Sequence, residues 1–142
     1  MKTFNNQFGE LEYDAKHVIL FPEGMIGFQH CTKYILIDDI DTEPFRWLVS
    51  LDDSELCFPL LDPLLVMEGY EQQVLKTDAS VAFVVASLHE LPERSTVNLK
   101  SPVVIEKNTQ RGKQIILEDE RLPMRYQFLK SPQTGAGAGQ SC

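Results

Sequence analysis

The chain has 142 residues and a mass of 16.2 kDa, enough for one domain that buries its own core without disulfides or metals. Its 43% hydrophobic and 24% charged residues match soluble globular proteins and exclude wholesale disorder. A net charge of −8 argues against direct binding to nucleic acid or to anionic membranes, since both need clustered Lys and Arg.

Residues 1–10 hold one Lys and no apolar stretch, so no signal peptide is expected. No run approaches the ~18 apolar residues of a membrane-spanning helix. Short apolar runs then follow one another at 17–21, 34–37, 45–51, 56–61, 80–87, 102–106 and 113–117. Each is bounded by Gly, Pro, Asp or Asn and predicts a strand. In the 45–51 run Phe45, Trp47 and Val49 share one face, while Arg46, Leu48 and Ser50 share the other. Residues 81–86 are continuously apolar, which predicts a strand covered on both faces. Only 25–33 and 72–77 suggest helical turns. The clearest hairpin joins 103–107 to 113–117 through 108–112, a loop carrying Asn and Gly. Evenly spaced short strands favour an all-β barrel or sandwich over a βαβ fold. Residues 131–142 carry no charge and are rich in Gly and Ala, so a flexible tail is expected after a domain spanning 1–130. Cys142 would then be a thiol on a mobile end.

Motifs for chemistry are sparse. Cys31, Cys57 and Cys142 are odd in number and widely spaced, which suits reduced thiols and a cytoplasmic location. His17, His30, Cys31, Cys57 and His89 fall at no metal-ligand spacing, so no metal is expected. There is no G-x-S-x-G nucleophile elbow, and Gly24 and Gly27 lack the rest of a phosphate loop. No catalytic residue and no cofactor are expected. Arg121 and Arg125 form R-x-x-x-R, which resembles the start of a PilZ cyclic-dinucleotide domain, but no [DN]-x-S-x-x-G motif follows. Those arginines are expected to be exposed or to pair with Glu118, Asp119 or Glu120. Phe21, Phe28, Phe45, Trp47, Phe58, Tyr70 and Phe83 are expected in the core.

Two features remain open. Asn98 is a poor strand residue and Pro102 cannot donate to a ladder. The 96–102 segment is therefore either a bulge where Asn98 bonds the backbone or an exposed edge that docks another chain. Between residues 36 and 62 there are eight acids and one base, Arg46. These acids are either solvated turns or a patch facing a basic partner.

Six pieces in order resemble the FliW family. They are Phe21-Pro22-Glu23-Gly24-Met25-Ile26-Gly27-Phe28, Pro44-Phe45-Arg46-Trp47-Leu48-Val49-Ser50, and Cys57-Phe58 with Asp62-Pro63. Tyr70-Glu71 follows, then Thr96-Val97-Asn98-Leu99-Lys100-Ser101-Pro102-Val103-Val104-Ile105, then Gly112-Lys113-Gln114-Ile115-Ile116-Leu117. The resemblance implies an all-β, single-domain degenerate antiparallel β-barrel with short helical segments and no catalysis. It implies a protein that binds cytoplasmic flagellin; a monomer is expected as the default for an acidic domain of this size. When free, it binds and allosterically antagonises CsrA, a dimeric RNA-binding repressor of flagellin translation. On this reading Val97, Asn98, Leu99, Ser101, Pro102 and Val103 form a shared partner surface. Asp38, Asp39, Asp41 and Glu43 form an acidic steering patch. The alternative is a small β-barrel that binds a nucleotide or acts as an enzyme.

Overall fold

The structure, a computed structural model, describes residues 2–6, 9–75 and 77–129. The expected tail at 131–142, with Cys142, lies outside the described residues. A separate hairpin pairs β1 (Lys2–Asn6) with β2 (Gly9–Tyr13). The remaining strands are β3 (Ile19–Leu20), β4 (Lys33–Asp38), β5 (Arg46–Ser50), β6 (Cys57–Leu61), β7 (Ser80–Ser87), β8 (Thr96–Glu106), β9 (Arg111–Gln114) and β10 (Tyr126–Gln127). One turn of α-helix, α1 (Tyr70–Val74), and four 3₁₀ turns complete the elements.

Strands β8, β7, β6, β5, β4, β3 and β9 pair in that order, and β9 pairs back onto β8, so the sheet closes into a barrel. Strand β10 hangs on β8 outside the ring. Every pairing is antiparallel except β3–β9, which meet in parallel at Leu20 and Arg111. Closure removes most free edges, the usual hazard of a small sheet. The fold expected from the sequence is therefore the fold observed.

Strand periodicity sorts the apolar side chains into two cores. Tyr34, Leu48, Leu60, Phe83, Val103 and Ile105 form the inner core with Phe21 and Met25. Leu61, Val84, Ala86, Val97 and Leu99 form the outer core, under Tyr70 and Val74 of α1 and Leu122 of the C-terminal segment. Strand β7 supplies both, Phe83 to one side and Val84 to the other, which is why its sequence is apolar without alternation. Both faces of β5 are likewise buried at Leu48 and Val49.

Several local expectations are corrected. The β1–β2 hairpin was not legible, because its sequence is mostly polar with Phe4 and Leu11 as its half-buried apolar pair. Residues 25–33 form no helix. They fold as successive tight turns, with Phe28 N–H donating to Met25 O and Cys31 N–H to Phe28 O. Phe28 is 37% exposed and lies edge-on to Phe58 rather than inside the core. The helical turn expected at 72–77 begins two residues earlier, at Tyr70.

The β8–β9 hairpin is present, but its turn is 107–110, closed by the pair Glu106–Arg111. Gly112 therefore lies inside β9 opposite Ile105, not in the loop. A Cβ there would stand 2.5 Å from the Phe21 ring, so the glycine gives that ring its place in the inner core. Gly112→Ala is expected to cost about 1–3 kcal/mol by overpacking, and Lys113→Ala next to it less than about 0.5 kcal/mol. Urea unfolding of both variants checks this; equal midpoints would show that Phe21 moves aside freely.

Candidate partner-binding surfaces

Strand β8 loses step with β7 in the middle. Val85 faces Asn98 and Phe83 faces Val103, so β7 spends one residue, Val84, where β8 spends four, Leu99 to Pro102. The three-residue excess is odd and reverses the alternation. Val97 and Leu99 point to the outer core, whereas Val103 and Ile105, of the same parity, point to the inner core.

Asn98 holds this bulge. Its Oδ1 accepts hydrogen bonds from the N–H groups of Lys100 and Ser101, both at 3.0 Å, the local turn that asparagine side chains favour. Each bulged carbonyl finds a donor elsewhere. Tyr70 Oη–H donates to Leu99 O. Leu117 N–H donates to Lys100 O at 2.8 Å, Gln114 Nε2–H to Ser101 O at 3.0 Å and Ile115 N–H to Pro102 O at 3.0 Å. Leu99 N–H donates to Pro123 O at 3.0 Å. Pro102 has no N–H to place, which suits a bulge. Burial raises the Tyr70 phenol well above its usual pKa and keeps it a neutral donor.

This rules out the exposed-edge alternative for 96–102. Val97, Leu99 and Val103 are at most 1% exposed, Ser101 and Pro102 are buried, and Asn98 is half-buried with its oxygen already committed. Strand β8 continues through Pro102 to Glu106. Of the two alternatives open in the sequence, the structure has the bulge. Five of the six residues are buried.

The acidic residues behave differently. Asp38 ends β4, and Asp39, Asp41 and Glu43 lie in and around the 3₁₀ turn Ile40–Thr42, which Asp39 caps by accepting from Asp41 N–H at 3.0 Å. Beside this loop runs a groove of about 970 Å³. Asp38, Glu43, Asp62, Glu71 and Asp78 line it, and Pro44, Phe45, Leu65, Leu75 and Phe83 give it an apolar floor. Among the described residues Arg46 is its single base. The Arg46 Nε–H donates to Asp38 Oδ1 at 2.6 Å, and the guanidinium lies 5.6 Å from the Phe83 ring centre. Asp39 and Asp41 stand next to the groove rather than in its wall. Glu71 on α1 and Asp78 before β7 carry no sequence signal for this site; only the fold brings them to Asp38.

A second groove, of about 850 Å³, crosses the β7, β8 and β10 ends. Among the described residues no cluster of three His, Cys, Asp or Glu could hold a metal. His17 Nδ1 accepts from Asp14 N–H and His89 Nδ1 from Leu91 N–H, so both rings are tied to local backbone. Burial also raises the Tyr34 phenol well above its usual range. Its oxygen is buried without a hydrogen-bond partner among the described residues, and it lies in the packed inner core rather than in a cleft. Arg121 pairs with Asp119 at 3.0 Å, one of the partners expected for it.

Comparison with known proteins gives one consistent answer. The family model "FliW protein" matches residues 2–128. A protein of Thermosipho africanus named "Flagellar assembly factor FliW" is 34% identical over 138 residues, covering 88% of this chain and 94% of that protein. A protein of the same name from Thermotoga neapolitana is 35% identical over 136 residues, covering 87% and 91%. The crystal structure of a flagellar assembly factor FliW matches with a TM-score of 0.80 over 94% of this chain and 99% of that one. At 24% identity that likeness supports the fold.

Two variants test the bulge. Leu99→Ala is expected to cost about 2–5 kcal/mol, as for a fully buried leucine. Asn98→Ala leaves two amides without their acceptor and is expected to cost about 2–3 kcal/mol. Denaturant titration followed by circular dichroism reads both, and a loss below about 0.5 kcal/mol at either site would contradict a structural role.

Proposed function

The chain belongs to the FliW family, and from that we propose that it is a flagellar assembly factor: a non-catalytic protein that binds flagellin in the cytoplasm. When free of flagellin it binds CsrA and antagonises it allosterically, so that flagellin synthesis follows assembly. It works as a monomer. The observation that carries this reading is the acidic groove between the Asp38–Glu43 loop, α1 and β7, with five carboxylates over an apolar floor. Such a surface steers a basic partner from a distance and then offers it apolar area. The relatives' shared name and the family match over residues 2–128 give the biological setting.

The buried 96–103 segment supports binding indirectly. It fixes α1 to the barrel through Tyr70 and Leu99, and α1 carries Glu71 into the groove. Partner side chains are thus met by the groove, and the bulge holds one of its walls. No described helix is long and apolar enough to cross a membrane.

Calorimetric titration with the flagellin and then the CsrA of the same organism tests the reading. Both are expected to bind, and saturation with flagellin is expected to abolish CsrA binding. Binding to neither would overturn the proposal. Glu43 and Asp78 are exposed and line the groove. The Glu43→Lys/Asp78→Lys variant is expected to slow CsrA association about tenfold at low salt, with the difference shrinking as salt rises. An on-rate indifferent to both charge and salt would remove the groove from the mechanism.

A further inference from the structure

The second groove has the opposite character from the first. Among the described residues Ser87, Leu88, His89, Arg94, Thr96, Pro123, Arg125, Tyr126 and Gln127 line it, two arginines and no carboxylate. In a chain of net charge −8 that composition is against the trend. Arg46 and Arg121 are each held by an aspartate. Arg94 and Arg125 have no carboxylate partner among the described residues, and both are exposed. Glu90 and Glu93 lie on the same loop as Arg94 but do not line the groove. His89 is held with Nδ1 accepting from Leu91 N–H at 2.9 Å, which leaves Nε2 as the ring's free nitrogen.

The floor is ordered by strand register. Ser87 faces Thr96, and Thr96 faces Gln127. Directly opposed residues point to the same face of a sheet. Two hydroxyls and an amide therefore form a polar row across β7, β8 and β10, with the guanidinium groups beside it. Strand β10 pairs with β8 on one side only, so its other edge is unpaired among the described residues. Exposed apolar side chains flank the groove: Leu88 in its wall, Leu91 beyond His89 and Met124 between Pro123 and Arg125.

We propose that this groove is a second docking surface, separate from the acidic one, and that its occupant is an extended, carboxylate-rich segment of a partner protein carrying apolar residues. Arg94 and Arg125 give charge complementarity and the fork geometry that carboxylates accept. The polar row offers hydrogen-bond partners to the segment's backbone or side chains. The open edge of β10 permits strand addition, and Leu88 and Met124 give it apolar area. The surface does not depend on the identity of the partner that the acidic groove receives.

A fluorescein-labelled peptide of Glu, Leu, Ser and Gly, and its Gln-for-Glu counterpart, test this against the full-length chain. Anisotropy is expected to show saturable binding of the acidic peptide that weakens with salt. Amide shifts are expected at Ser87, Thr96, Arg125 and Gln127. Arg94→Glu/Arg125→Glu is expected to weaken binding about tenfold or more, and Arg94→Gln/Arg125→Gln to weaken it less. Unchanged melting temperatures confirm that either variant is folded. Equal binding of the glutamine peptide, shifts confined to other strands, or affinity indifferent to both variants would overturn the proposal. Displacement of the peptide by inorganic phosphate at matched ionic strength would also overturn it, and would reassign the groove to a small oxyanion.

Discussion

A single carboxamide oxygen holds the bulge at which β8 changes faces. Asn98 Oδ1 takes the N–H groups of Lys100 and Ser101 and so stabilises four residues of β8 opposite one of β7. The odd excess reverses the strand's alternation. One strand can then feed the outer core with Val97 and Leu99 and the inner core with Val103 and Ile105. Without the bulge, uniform alternation would send all four side chains to the same face. The freed carbonyls also receive the incoming N–H groups of Ile115 and Leu117, which lays the C-terminal segment over the outer core. The seating of α1 through Tyr70 and the course of the C-terminal segment both use backbone groups that this turn exposes.

Charge is segregated on the resulting surface. The acidic groove gathers carboxylates from β4, the loop before β5, the end of β6, α1 and the approach to β7. The arginine-bearing groove lies where β7, β8 and β10 end. Both are open surface features on a body whose interior is packed with apolar side chains. Neither assembles a set of metal ligands among the described residues. The geometry suits recognition of chains by charge and shape.

Much of the fold was legible because strand period and turn residues are local signals. The apolar run at 81–86 announced a strand covered on both sides, and the structure puts Phe83 and Val84 in different cores. Asn98 and Pro102 marked an irregularity, but local sequence could not say whether it faced solvent or the interior. That depends on Tyr70, Leu117 and Pro123, which lie 15 or more residues away. The β1–β2 hairpin escaped because backbone pairing holds it with little apolar contrast. Gly112 reads as a loop glycine in the sequence, whereas its place in β9 against the Phe21 ring is set by the tertiary fold. The acidic loop at 38–43 was visible as a charge run, whereas Glu71 and Asp78 join it only through the tertiary fold.

The central claim is that the Asn98 segment is an internal seam and that flagellin is met on the acidic groove. Residue-resolved amide hydrogen exchange, with and without flagellin, tests it most directly. The Lys100 and Ser101 amides should already be protected in the free protein and unchanged in the complex. Groove segments around Arg46, Leu75 and Ala82 should gain protection. Rapid exchange at Lys100 and Ser101 in the free protein, followed by protection there and not at the groove when flagellin binds, would contradict it.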